Sequence, residues 1–246
     1  MRGLFVTATD TDAGKTVITG AIAAALKARG IDAGVFKPLA SGCVEDGCGN
    51  LVAEDAVFLF KAAGLRQNRQ AMLNTVCLRP ALAPAVAARQ DGAAIDIEEV
   101  ISRCRCAGRN FEQILVEGVG GMAVPLWEDY TVADLMVKLG LPAIIVVRPC
   151  LGAINHTVLT AWYAGQRGIK VAGIIVNQYN EEQAGILEHS NIEYIERLAK
   201  LPVLGRFPVS ESISVQGAKV DGLADLAERH LDIDRLLAAM EGKYND

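Results

Sequence analysis

At 246 residues, 51% of them hydrophobic and 22% charged, the chain has room for one substantial α/β domain, taken as 1–246, with a generous core. A formal net charge of −5 without any Lys/Arg cluster excludes an obvious nucleic-acid surface. No apolar run approaches a membrane span, and polar residues begin at Thr7 where a signal peptide would be apolar, so a cytoplasmic protein is expected, with neither nucleic acid nor membrane as partner.

The elements, in chain order, begin with a strand at Leu4–Val6 and an alanine-rich helix from Val17 that stops at Gly30. Between them lies Ala13-Gly14-Lys15-Thr16, which reads as the end of a phosphate-binding loop. Its backbone N–H groups would wrap a polyphosphate, with Lys15 on the outer oxygens and Thr16 on Mg²⁺. The loop departs from the usual spacing, because Thr9 occupies the position of the first glycine. A polar turn in a βα unit is the plain alternative, and the strand-to-helix context argues against it.

"AGVFKP" is a second strand, ending at Lys37-Pro38. A polar, glycine-rich loop at 41–50 and the helical "AEDAVFLFKAAG" follow. The region 74–92, with Pro80, Pro84 and many alanines, reads as irregular. Beyond it, "IDIEEVISRCRCAG" feeds the strand "QILVEG", and "TVADLMVKLG" feeds "PAIIVV". A helix over 154–168 precedes "KVAGIIVN", and one over 181–199 precedes "PVLGRFP". Apolar strands each reached through a helix predict a single-domain parallel sheet of the phosphate-loop type, with helices on both faces. Right-handed crossovers then bring every strand's carboxyl end to one edge.

That edge supplies the candidate residues. Glu117 ends an apolar strand and precedes glycines including Gly120, so its carboxylate could hold Mg²⁺ opposite Thr16. Asp55 is a second metal candidate, or equally a helix-start residue favoured by the dipole. Asn177 ends another strand and could read a nucleobase edge through its amide, although Asn is also common in turns. "CLGAINH" places Gly152, Ala153 and Asn155 at a helix start, a second anion-ready terminus. The six cysteines are read as thiols in a reducing compartment; Cys43/Cys48 and Cys104/Cys106 lack the CxxC spacing or nearby histidine of a metal site.

Taken in order, these motifs resemble the dethiobiotin synthetases along nearly the whole chain. "TATDTDAGKT" is similar to that family's phosphate loop, "FKPLASG" to its Lys-Pro-x-x-Ser-Gly segment, "EDA" to its metal aspartate and "VEGVGG" to its Glu-Gly-x-Gly-Gly. "LGAINHTVLT" resembles the helix start that reaches a partner subunit, and "IVNQ" with "VLGRFP" the walls beside adenine. The resemblance implies that ATP and CO₂ act on 7,8-diaminopelargonate through a phosphorylated carbamate. It implies nucleotide contacts from Asp12, Ala13, Gly14, Lys15, Thr16, Val17, Glu117, Gly120, Asn177 and Pro208. Mg²⁺ would lie on Thr16, Asp55 and Glu117.

Lys15, Lys37, Thr11 and Ser41 would serve the reaction. Thr11, Asp12, Lys37 and Ser41 would also hold the diamine and its carbamate. Gly152, Ala153 and Asn155 of a homodimer partner would take the far carboxylate. "RPALAPAVAAR", from Arg79 to Arg89, departs from the family's Glu-Pro…Pro-His pattern beside the substrate. Partition-type ATPases carry an early loop lysine that is missing here, and cobyrinate-type amidotransferases need a further domain. A phosphate-loop ATPase of the same superfamily acting on a related substrate, or a non-catalytic ATP-dependent dimer switch, stays open as the alternative.

Overall fold

The computed structural model describes residues 1–65 and 74–243. β1 (Gly3–Ala8) is buried along its whole length, as a central parallel strand covered on both faces must be. α1 (Lys15–Ala28) buries Ile18, Ile22 and Leu26, one face at four-residue spacing. Full burial of such side chains is worth about 2 kcal/mol each. Gly30 ends this unit at φ 78°, a left-handed turn open to glycine.

β2 (Ala33–Ser41) is followed by the two-residue strands β3 (Val44–Glu45) and β4 (Leu51–Val52), which pair as an antiparallel ribbon. α2 (Glu54–Ala62), β5 (Asn74–Leu78), α3 (Pro84–Gln90), α4 (Ile97–Gly108) and β6 (Gln113–Glu117) come next. α4 begins where the Asp96 side chain accepts the Glu99 N–H. β7 (Pro125–Trp127) and β8 (Tyr130–Thr131) form a second ribbon leading into α5 (Val132–Leu139). A reciprocal Thr131/Asp134 capping box opens α5, and Gly140 closes it in the left-handed region. β9 (Ala143–Val147), α6 (Ala153–Gln166), β10 (Val171–Asn177), α7 (Ile186–Ala199) and β11 (Val203–Phe207) complete the alternation. A ribbon of β12 (Ile213–Ser214) and β13 (Lys219–Val220) precedes α8 (Leu223–His230) and α9 (Ile233–Met240).

Seven strands form one parallel sheet in the order β11-β10-β9-β1-β6-β2-β5. α1, α2, α8 and α9 cover one face and α3 to α7 the other, each over its own hydrophobic core. The predicted architecture is therefore the observed one.

Four local expectations are corrected. Lys37 does not end its strand: β2 runs on to Ser41 because β5 pairs with it as far as Ser41↔Leu78. The region 74–92 is not irregular, since β5 and α3 lie within it; Pro84 stands in the first turn of α3, where its missing N–H costs nothing. The loop 41–50 carries β3. The helix expected from 181 begins at Ile186, after a turn.

Candidate active site

The carboxyl ends of β1, β2 and β6 open on a cleft of ≈ 730 Å³. β1 leads into the loop 9–14, and Gly14 (φ 88°) begins α1. Lys15 is 7% exposed and turns back, its Nζ donating to the Asp10 carbonyl at 3.2 Å. Asp10 in turn accepts the Thr11 N–H at 2.7 Å, which braces the loop.

Behind the loop is a buried charge cluster. Lys37 projects from inside β2, 4% exposed, and Glu117 closes β6 beside it at 1%. Phe36 pairs with Val116 one position earlier, so strand register alone sets these two side chains side by side. The Lys37 ammonium donates to Glu117 Oε1 and, at 2.8 Å, to Asp55 Oδ2. Thr16 Oγ1 donates to Glu117 Oε1 at 2.8 Å. Glu117 Oε2 is buried with no hydrogen-bond partner.

Burial works against the charge on each group, and the neighbours decide the outcome. Burial opposes the Lys37 charge, yet Glu117 and Asp55 outweigh it and hold its pKa above the ordinary lysine value. Burial also opposes the Asp55 charge, but Lys37 keeps that carboxyl below its usual range. Glu117 is pushed up by its burial, which Lys37 only partly offsets. Lys15 is pulled down by burial against the attraction of Glu117.

Of the residues singled out from sequence, Thr11, Asp12, Gly14, Lys15, Thr16 and Val17 line this one cleft, together with Lys37, Ser41, Asp55, Glu117 and Gly120. Gly120 has φ 60°, and a Cβ there would meet Val124 Cγ2 at 2.7 Å. Ala13 is buried beneath the loop. Asn177 ends β10, 2% exposed, and its Nδ2 donates to the Ala13 carbonyl at 2.9 Å. Pro208 lies in a separate hollow beside Tyr179 and Arg206. Gly152, Ala153 and Asn155 stand at the start of α6 and do not line the cleft.

Ala81, Leu82, Ala83 and Pro84, within the stretch from Arg79 to Arg89 expected beside the substrate, line the cleft, as do Glu54 of "EDA" and Gln178 of "IVNQ", whereas the sequence reading misses Val215 and Gln216. Gln178 follows a strand-end Asn and adopts φ 58°. Val215 and Gln216 arrive through tertiary folding alone.

The sheet order, with a glycine-started helix aimed at a loop from the central strand, defines the class: a phosphate-loop fold. Solved structures of the same fold include the cell-division ATPase MinD of Pyrococcus furiosus, at TM-score 0.59 and 16% identity, covering 99% of this chain and all of that one. A ParA-family ATPase of Chlorobium tepidum matches at TM-score 0.52 and 15% identity, over 97% and 96% of the two chains. A family model described as an AAA domain matches residues 2–216.

Curated relatives narrow the class. The ATP-dependent dethiobiotin synthetase BioD of Bacillus licheniformis is 37% identical over 241 residues, 98% of each chain. That of Bacillus subtilis strain 168 is 40% identical over 208 residues, 85% of this chain and 87% of its own. The chain belongs to the ATP-dependent dethiobiotin synthetase family.

Proposed function

We propose that this cleft joins CO₂ to 7,8-diaminopelargonate and closes the ureido ring of dethiobiotin, releasing ADP and phosphate. One observation carries the reading: two buried lysines, Lys15 and Lys37, reach a single cleft whose lining includes the apolar Ala81, Leu82, Ala83 and Pro84. One lysine and the loop N–H groups suffice for a triphosphate. A second lysine near an apolar wall suits a second anion carried on an aliphatic chain.

In this mechanism one amine of the substrate enters as its carbamate, and a carbamate oxygen attacks the γ-phosphorus as ADP leaves. Lys15 and Lys37 lower the repulsion between the two anions, and the start of α1 holds the phosphates. The neighbouring amine then attacks the carbamoyl carbon. Phosphate departs with the former carbamate oxygen, the amine loses a proton, and the ring closes. Thr11 and Ser41 hydrogen-bond the carbamate, while Asp12 faces the substrate's ammonium group. Positioning supplies most of the acceleration.

Thr16, Asp55 and Glu117 form an all-oxygen donor set, and the orphaned, buried Glu117 Oε2 is the observation that fits a cation there. Among the described residues no cluster of three or more His, Cys, Asp or Glu is present. Two carboxylates and a hydroxyl suit Mg²⁺, which takes its remaining oxygens from phosphates and water. Bound there, Mg²⁺ would neutralise charge developing on the transferring phosphoryl group.

Adenine would lie toward Asn177 and Pro208. An adenine amino group is a donor and would meet Asn177 Oδ1, the amide's acceptor, while Nδ2 donates to the Ala13 carbonyl. The working unit is a homodimer, in which Gly152, Ala153 and Asn155 of one chain hold the substrate carboxylate of the other. Support comes from α6, where Asn155, Leu159 and Trp162 share one stripe at helical spacing. Leu159 and Trp162 are 54% and 63% exposed, and Leu151 just before the helix is 84% exposed, an apolar face that a second copy would cover. A cytoplasmic location fits these substrates, and among the described residues no helix is long and apolar enough to cross a membrane.

The test is phosphate release from ATP with and without 7,8-diaminopelargonate and bicarbonate. Release that requires both, with dethiobiotin seen by mass, is the expected result. ATP binding without diamine-dependent turnover would favour the dimer switch.

A further inference from the structure

We infer that Asn177 is a positioning residue that fixes the Ala13–Gly14 peptide plane so that the Gly14 N–H faces the bound phosphates. The inference rests on the nucleotide reading above and adds to it a role distinct from base recognition.

The geometry begins with a contact between residues 164 positions apart in sequence, Asn177 Nδ2 to the Ala13 carbonyl at 2.9 Å. In a trans peptide the C=O and the following N–H point in opposite directions. A carbonyl drawn toward Asn177 therefore turns the Gly14 N–H the other way, and Gly14 itself lines the cleft. With the plane reversed, a carbonyl oxygen would meet the phosphates and the donor would be lost.

Among the described residues, Asn177 makes the one hydrogen bond seen to this peptide, and Ala13 itself is packed in the core at 1% exposed. Gly14 starts α1 with no side-chain cap, so no capping hydroxyl or carboxylate restrains the turn. Glycine makes the turn at φ 88° without strain and by the same freedom resists reversal poorly. The packing is close as well: a Cβ on Gly14 would fall 1.9 Å from Asn177 Nδ2. Glycine is thus required both by the backbone angle and by the amide pressed against it. Asn177 is 2% exposed, so water is not at hand to replace its bond to the loop.

The discriminating probe is inorganic tripolyphosphate, which has phosphates but no base. Calorimetric titration of the intact chain and of Asn177→Asp, which keeps the shape and removes the donor, should show at least a 10-fold loss of tripolyphosphate affinity in the variant. Asn177→Val, which has no side-chain donor and suits a strand, should show the same loss and serves if the carboxylate variant does not fold. Melting curves identify folded variants, and a merely structural role would leave the affinity of folded protein unchanged. Equal tripolyphosphate affinity in a folded variant, with only ATP affinity or base preference altered, would overturn the inference and leave the nucleotide site standing. Failure of the parent chain to bind either tripolyphosphate or ATP would instead remove the nucleotide reading, and this inference with it.

Discussion

Replacing Lys37 by Met tests the buried cluster through stability, independently of turnover. The ammonium is 4% exposed and its partner Glu117 1%. Its removal leaves a carboxylate inside the protein with the Thr16 hydroxyl as its hydrogen-bond donor and only the attraction of Lys15 to set against burial. Breaking such a pair costs roughly 3–5 kcal/mol. A second route limits the loss, because Glu117 can take up a proton instead of staying charged. Its carboxyl is already pushed upward by burial, and without Lys37 it rises further.

The sign follows from linkage. A group whose folded pKa lies above its unfolded one loses stability as pH rises from the unfolded value toward the folded one. Each pH unit above about 4.3 then costs about 1.4 kcal/mol, giving about 1 kcal/mol at pH 5 and at most about 3.7 kcal/mol at pH 7. Urea unfolding of parent and Lys37→Met in the presence of a chelator, at pH 5, 6 and 7, reads this slope directly. The double variant Lys37→Met/Glu117→Gln, with neither charge, should recover most of the loss. An equal deficit at pH 5 and pH 7, or a double variant no more stable than the single, would refute the buried-pair argument.

Lys15→Ala should abolish turnover while holding or raising the melting temperature, because Lys15 is a desolvated cation whose charge burial disfavours; a fall of many degrees would make it structural. Glu117→Gln and Asp55→Asn should each raise the Mg²⁺ concentration needed for activity, and an unchanged requirement in Asp55→Asn would leave Asp55 a helix-start residue. Trp162→Glu should shift the chain toward monomer in sedimentation. Mixed Lys15→Ala and Asn155→Glu chains should regain activity through one restored site per hybrid dimer. A mixture that stays inactive after verified subunit exchange would reject the shared site.

What was legible in the sequence was local. Gly14-Lys15-Thr16 announces itself because the strand before it and the helix after it are written in consecutive residues. Glu117 does so because it interrupts an apolar run at its end. Lys37 was found but misplaced, since the length of β2 depends on β5, a strand more than thirty residues away along the chain. α3 was itself hidden by prolines and alanines that carry little period, and β5, Asn-Thr-Val-Cys-Leu, is only five residues long. The Asn177–Ala13 contact joins residues 164 positions apart in the chain and leaves no spacing to read. The stripe Asn155–Leu159–Trp162 has a readable period, yet its exposure depends on where α7 packs, which no local pattern gives.

The most direct test of the account follows one oxygen atom. If the carbamate attacks the γ-phosphorus, one oxygen from CO₂ must leave with phosphate and the other remain in the ureido carbonyl. Turnover with ¹⁸O-labelled bicarbonate and unlabelled ATP, followed by ³¹P NMR of the released phosphate, should show phosphate carrying a single label. Unlabelled phosphate formed alongside dethiobiotin would contradict phosphorylation of the carbamate, and with it the role given to Lys15 and Lys37.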